Sequence, residues 1–148
     1  METVIGYHED FYSWITRSAR LIREKRFTEI KDVEHIAEEL ESMSRSEKRE
    51  LISRLTVLLA HLIKWKFQSI KRSRSLKNTI LIQRIDINEL LADSPSLRYE
   101  IEQKIKIAYE KAKLNAEDET GIDKKNFPAE CPFTLEEMLN QKFFSDLD

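Results

Sequence analysis

The 148-residue sequence holds only two glycines, three prolines and one cysteine. So few turn-formers allow few turns, so the elements between them must be long, and long elements in a small domain are helices. The lone Cys131 excludes an internal disulfide and any Cys-based zinc site within one chain. A reduced, cytoplasmic compartment is the natural reading. No apolar run approaches the roughly 20 residues that cross a bilayer, so no membrane role is expected. Met1 to Asp10 is acidic and lacks the basic and apolar regions of a secretory signal. Glycine is too scarce for a Gly-rich phosphate cradle, which disfavours nucleotide hydrolysis and Rossmann-type cofactor use. No cofactor is expected.

Hydrophobic residues make up 41% of the chain and charged residues 35%. The first suffices for one core, and the second exceeds the ~25% of ordinary globular chains. The length fits a single helical domain over residues 1–148, since domains cluster near roughly 100–150 residues. Helical spacing of apolar residues runs from about His8 to Lys25 through Phe11, Trp14, Ile15, Leu21 and Ile22. A second segment begins at Asp32 as N-cap and aligns Val33, Ile36, Ala37, Leu40 and Met43. Ser44 and Glu47 have capping-box spacing and predict the start of a third helix, running to about Ser69. Its stretch from Leu55 to Ile63, apolar nearly all round, belongs at the centre of the core.

A fourth helix is predicted from about Ser75 to Leu91, with Leu76, Ile80, Ile87, Leu90 and Leu91 inward. Ser94 and Pro95 predict the N-cap and first residue of a fifth, carrying Leu97, Ile101, Ile105, Ala108 and Ala112 and stopping before Gly121. In the tail, Phe127-Pro128 and Cys131-Pro132 force extended backbone. Thr134 with Glu137 then opens a short helix. The fold class is all-α: a bundle of about five main helices plus a short C-terminal one. The weakest point of the chain is Asp93-Ser94-Pro95, near 92–95, where two sub-bundles could meet.

The net charge of −2 hides a segregated distribution. Residues 1–43 carry ten acids and six bases, residues 44–84 two acids and eleven bases, and residues 85–148 fifteen acids and eight bases. The densest basic part is Lys64-Trp65-Lys66-Phe67 followed by Lys71, Arg72, Arg74 and Lys77. Bases interleaved with aromatics suit a nucleic-acid groove, where charges track phosphates and rings stack on bases. Nucleic-acid binders are usually basic overall, and this chain is not. Neutralisation by the acidic helices, through surface pairs worth only ~0–1 kcal/mol each, is the expected arrangement, with an acidic protein partner next.

His8, His35 and His61 are the only histidines. Glu34, His35, Glu38 and Glu39 have metal-ligand chemistry on one helix, yet the Glu-x-x-His element of bundle metal sites is absent, and an acidic solvated face is expected instead. His61 lies in the most apolar stretch, where an imidazole needs a partner or a lowered pKa. Arg54, seven residues earlier, sits two turns along roughly the same face. The pair resembles the motif of HEPN-type ribonucleases, although the polar residue usual after the Arg is Leu55 here. A structural histidine is the expected role. Cys131, between Glu130 and Pro132, is poorly placed to form a thiolate.

Six stretches together resemble a known family: YHEDFYSW (Tyr7 to Trp14), IAEELESMSRSEKRE (Ile36 to Glu50), LLAHLIKW (Leu58 to Trp65), RSRSLKNT (Arg72 to Thr79), DSPSLR (Asp93 to Arg98) and FPAECPFT (Phe127 to Thr134). The chain resembles the Domain of Unknown Function 29 family, bacterial and largely cyanobacterial, from about residue 7 to 144. Leu76 departs from that pattern, which has Trp after the Ser. The resemblance implies an all-helical, cytoplasmic protein and no established activity. It draws attention to Glu38, Glu39, Glu41, Arg45, Arg49, His61, Trp65, Arg72 and Arg74 as a functional or structural polar cluster. The expected function is a non-enzymatic protein-interaction or adaptor module, acting on a protein partner or by self-association. The alternative is a nucleic-acid-associated protein, an HEPN-like ribonuclease using Arg54 and His61.

Overall fold

A computed structural model describes residues 6–144, and among these every regular element is helical. Helix α1 spans Phe11–Arg23, α2 Val33–Phe67, α3 Arg74–Asp93, α4 Ile101–Thr120 and α5 Leu135–Leu139. Short 3-10 turns precede α2, α3 and α4 and lead into the tail. The all-α class read from the composition is the observed one. The chain divides into two compact units, Met1–Glu47 and Lys48–Asp148. The stretch Asp93-Ser94-Pro95 joins elements within the second of them.

The second and third predicted helices are one helix of 35 residues. Ser44 and Glu47 match a capping box, but a cap forms only where the backbone stops being helical. No glycine or proline lies between Gly6 and Pro95 to stop it. Pro95 also departs from expectation. It opens a 3-10 turn over Pro95–Arg98, and α4 begins only at Ile101 after Glu100, which is left-handed at φ 53°. Leu97 therefore lies outside α4.

In the first unit α1 starts where Asp10 accepts from the Ser13 N–H at 3.0 Å. It ends in a Schellman closure, with Arg26 N–H on the Leu21 carbonyl and Lys25 N–H on that of Ile22. Lys25 occupies the left-handed position at φ 59° that glycine usually fills. Trp14, Ser18 and Leu21 form the buried face of α1. The Trp14 indole N–H donates to Asp32 at 2.9 Å, so the residue that opens α2 also anchors α1. Tyr7 stacks on His35 with ring centres 4.6 Å apart and donates its hydroxyl proton to Glu39. Val33, Leu40 and Met43, predicted to face inward, are exposed.

The core of the second unit surrounds the α2 stretch that the sequence marks. Leu55, Leu58, Leu59, Leu62 and Ile63 are fully buried, packed with Ile80, Ile87 and Leu91 of α3. From α4, Ala108, Ala112 and Ala116 face inward at four-residue spacing, and small side chains there allow close helix approach. The tail adds Phe127, Phe133 and Met138. Tyr109 donates to the Pro128 carbonyl at 2.6 Å, and burial pushes its phenol pKa up. Thr134 and Glu137 form the predicted capping box at the start of α5. Gly121 ends α4 at φ 75°, with nothing within 4 Å of a Cβ placed there. Gly121→Ala should therefore lower stability through backbone strain alone, by about 1 kcal/mol. Urea denaturation would reveal it, and an unchanged midpoint would refute the strain argument.

Two buried cations close the ends of other elements. Arg84, with no exposed surface, donates from Nε to the Met138 carbonyl at 2.6 Å and from Nη2 to the Glu137 carbonyl at 3.2 Å. These belong to the last turn of α5, whose carbonyls have no partner within the helix. Lys104 gives its ammonium to the carbonyls of Leu97 at 2.6 Å and Tyr99 at 2.8 Å, closing the turn before α4. Burial lowers the pKa of both.

Candidate basic cleft and histidine depression

The turn from α2 into α3 carries the basic residues singled out from the sequence. Lys64 and Trp65 lie in the last turn of α2, a 3-10 turn covers Ser69–Lys71, and Ser73 caps α3 by accepting from the Leu76 N–H at 3.1 Å. Arg72 bridges back, donating from Nε to the Trp65 carbonyl at 2.8 Å with its guanidinium 4.7 Å from the centre of the Trp65 ring. Phe144 packs on the same indole at 4.9 Å. Trp65 is thus occupied by the chain's own side chains. Phe67 likewise packs on Phe127 at 5.4 Å.

Two depressions flank Ser73. The larger, of about 540 Å³, is a cleft between Trp65 and Arg72 on one side and Arg74, Lys77, Asn78 and Leu81 on the other. No carboxylate lines it among the described residues. Arg74 and Lys77 are exposed; Lys77 has its ammonium 5.6 Å from the Phe144 ring. The smaller depression, of about 240 Å³, lies on the His61 side. His61, Lys64 and Gln68 form one wall, and Lys71, Ser75, Leu76 and Thr79 the other. Leu76, where the family pattern has Trp, is half-buried on this wall.

His61 is half-buried, and its Nδ1 lies 2.7 Å from the Val57 carbonyl of its own helix. A carbonyl only accepts, so Nδ1 carries the proton and Nε2 presents a lone pair when the ring is neutral. Burial pushes the His61 pKa down, opposed by the Val57 bond. Lys64, beside it, is paired with Glu119 of α4.

The nine residues singled out earlier divide between the two units. Glu38, Glu41 and Arg45 project from the first unit as exposed side chains, and Glu39 holds Tyr7. In the second unit Trp65, Arg72 and Arg74 converge on the cleft, His61 faces the neighbouring depression, and Arg49 is exposed. Glu38, Glu41, Arg45 and Arg49 all lie on α2. Arg54 pairs with Glu50 at 3.1 Å and with Asp86 at 2.9 Å, and it lines neither depression. His35 is stacked on Tyr7. Among the described residues, no three His, Cys, Asp or Glu side chains form a group that could hold a metal ion. Cys131 is half-buried, donates its thiol to the Phe133 carbonyl at 3.4 Å, and has its pKa raised by burial.

The model of the family described as "Domain of unknown function DUF29" matches residues 6–144. The chain belongs to the DUF29 family. The match takes in both units and both depressions of this DUF29 chain. No curated protein and no solved structure matches it. Among the described residues of the DUF29 chain, no helix is long and apolar enough to cross a membrane.

Sequence reasoning missed the two buried cations. Arg84 falls at helical spacing with Ile80, Ile87 and Leu91, so its place on the buried stripe was visible. A cation on an apolar stripe signals a cap or a pair for some other element.

Proposed function

We propose that this DUF29 protein is a non-enzymatic binding module that holds an acidic segment of a partner protein in the cleft between Trp65 and Lys77. The observation behind this reading is the cleft's lining, which includes exposed Arg74 and Lys77 and no described carboxylate. The state of the aromatics favours a protein partner over nucleic acid. Base stacking needs an open ring face, and Trp65 already has Arg72 and Phe144 against it. Arg54 and His61 would act as a ribonuclease pair only if a phosphate displaced Asp86 from Arg54. The single cysteine and the family resemblance support a cytoplasmic, bacterial setting.

Fluorescence anisotropy with a labelled Asp/Glu-rich peptide and a single-stranded RNA of equal charge tests the reading at physiological salt. The peptide should bind, and the double substitution Arg74→Glu with Lys77→Glu should weaken it at least tenfold, since each close charge reversal costs on the order of 1 kcal/mol. RNA binding without peptide binding would replace this proposal with the nucleic-acid one. Binding of neither would end both.

A further inference from the structure

The His61 depression has a donor set that the acidic-segment reading does not use. Lys71, Gln68 and Ser75, each with a side-chain hydrogen-bond donor, all line it. The Ser73 oxygen accepts from the Leu76 N–H, which leaves its own proton to donate, whereas Thr79 spends its proton on the Ser75 carbonyl at 3.0 Å. No described carboxylate lines the depression, and the one facing His61 from α4, Glu119, is paired with Lys64. Across from these residues stands His61, whose Nε2 can only accept when the ring is neutral. Its role is set by the bond from Nδ1 to the Val57 carbonyl.

A ligand that satisfies this wall offers several oxygen acceptors and a single proton. At about 240 Å³ the space is smaller than the roughly 300–1,000 Å³ of pockets that enclose whole drug-sized ligands, so it suits a head group. We propose that the depression binds a monoprotonated phosphoryl group, with Lys71, Gln68 and Ser75 donating to its oxygens and its P–OH donating to His61 Nε2. Free phosphate carries that proton at neutral pH, and a phosphomonoester, whose second pKa is about 6, takes it up on binding at a cost of about tenfold in affinity near pH 7. The arrangement predicts discrimination against sulfate, which has the same shape and carries no proton near neutrality. It stands apart from the acidic-segment reading, because Arg74 and Lys77 do not line this depression.

The test titrates the full chain at neutral pH and constant ionic strength with inorganic phosphate, O-phosphoserine and sulfate in separate arms. The His61 imidazole nitrogen signals are followed by NMR. Phosphate and phosphoserine should give saturable shifts at Nε2, the tighter of the two identifying the source, with sulfate at least tenfold weaker. Lys71→Gln, an exposed substitution, should weaken phosphate roughly tenfold through loss of a charge-assisted bond. No saturable shift with either phosphate probe overturns the site. Sulfate binding as tightly as phosphate overturns the role of Nε2, and an unchanged affinity in Lys71→Gln overturns the donor assignment.

Discussion

Arg84→Ala should lower the unfolding free energy by roughly 3–5 kcal/mol, the largest effect expected of any single polar substitution here. The guanidinium is fully buried and bonded to the carbonyls of Glu137 and Met138. Removing it strands two acceptors at the end of α5 and opens a cavity beneath Phe144, whose ring lies 5.2 Å from the guanidinium carbon. Burial pushes the Arg84 pKa down to about 10, so the group is still charged at neutral pH and bears a desolvation cost. For that reason Arg84→Met, which keeps the volume and removes the charge, should cost less, about 1–2 kcal/mol. Urea titrations of both variants measure the difference. A methionine variant as stable as the parent would mean that the two carbonyl bonds only offset the desolvation.

Leu58→Ala should cost a further roughly 3–5 kcal/mol, because a side chain buried without residual exposure leaves a cavity that helices on all sides cannot collapse into. Leu40→Ala on the same helix should change stability by no more than about 0.5 kcal/mol, since Leu40 is 62% exposed. Equal losses at the two positions would contradict the observed division of α2 into a bare part and a buried part.

The contrast between Leu40 and Leu58 shows what was legible in the sequence. Hydrophobic periodicity places both Leu40 and Leu58 on helical stripes. Only the second stripe is dense enough to be apolar nearly all round, and only it is buried. Periodicity reports that a helix has a face, and not that the face is covered. The capping residues divide in the same way. Thr134 with Glu137 caps a helix because Cys131-Pro132 has already broken the backbone before it. Ser44 with Glu47 has identical spacing and caps nothing, because good helix formers flank it on both sides. Of the candidate site, the basic run around Arg72 was readable as charge. The engagement of Trp65 by Arg72 and Phe144 depends on a residue 79 positions beyond Trp65, and no local pattern encodes it.

The bonds from Arg84 to the α5 carbonyls also bear on how the chain is made. The second unit has a cationic group in its apolar centre whose partners are residues 137 and 138, joined there by Phe127 and Phe133. During synthesis from the N-terminus, α2, α3 and α4 are all polymerised before those partners. Until they emerge, Arg84 can satisfy its charge only in water, which holds α3 away from the position it finally takes. The second unit therefore acquires its packed interior late and in one step, and a nascent chain stalled before residue 137 should remain accessible to proteases.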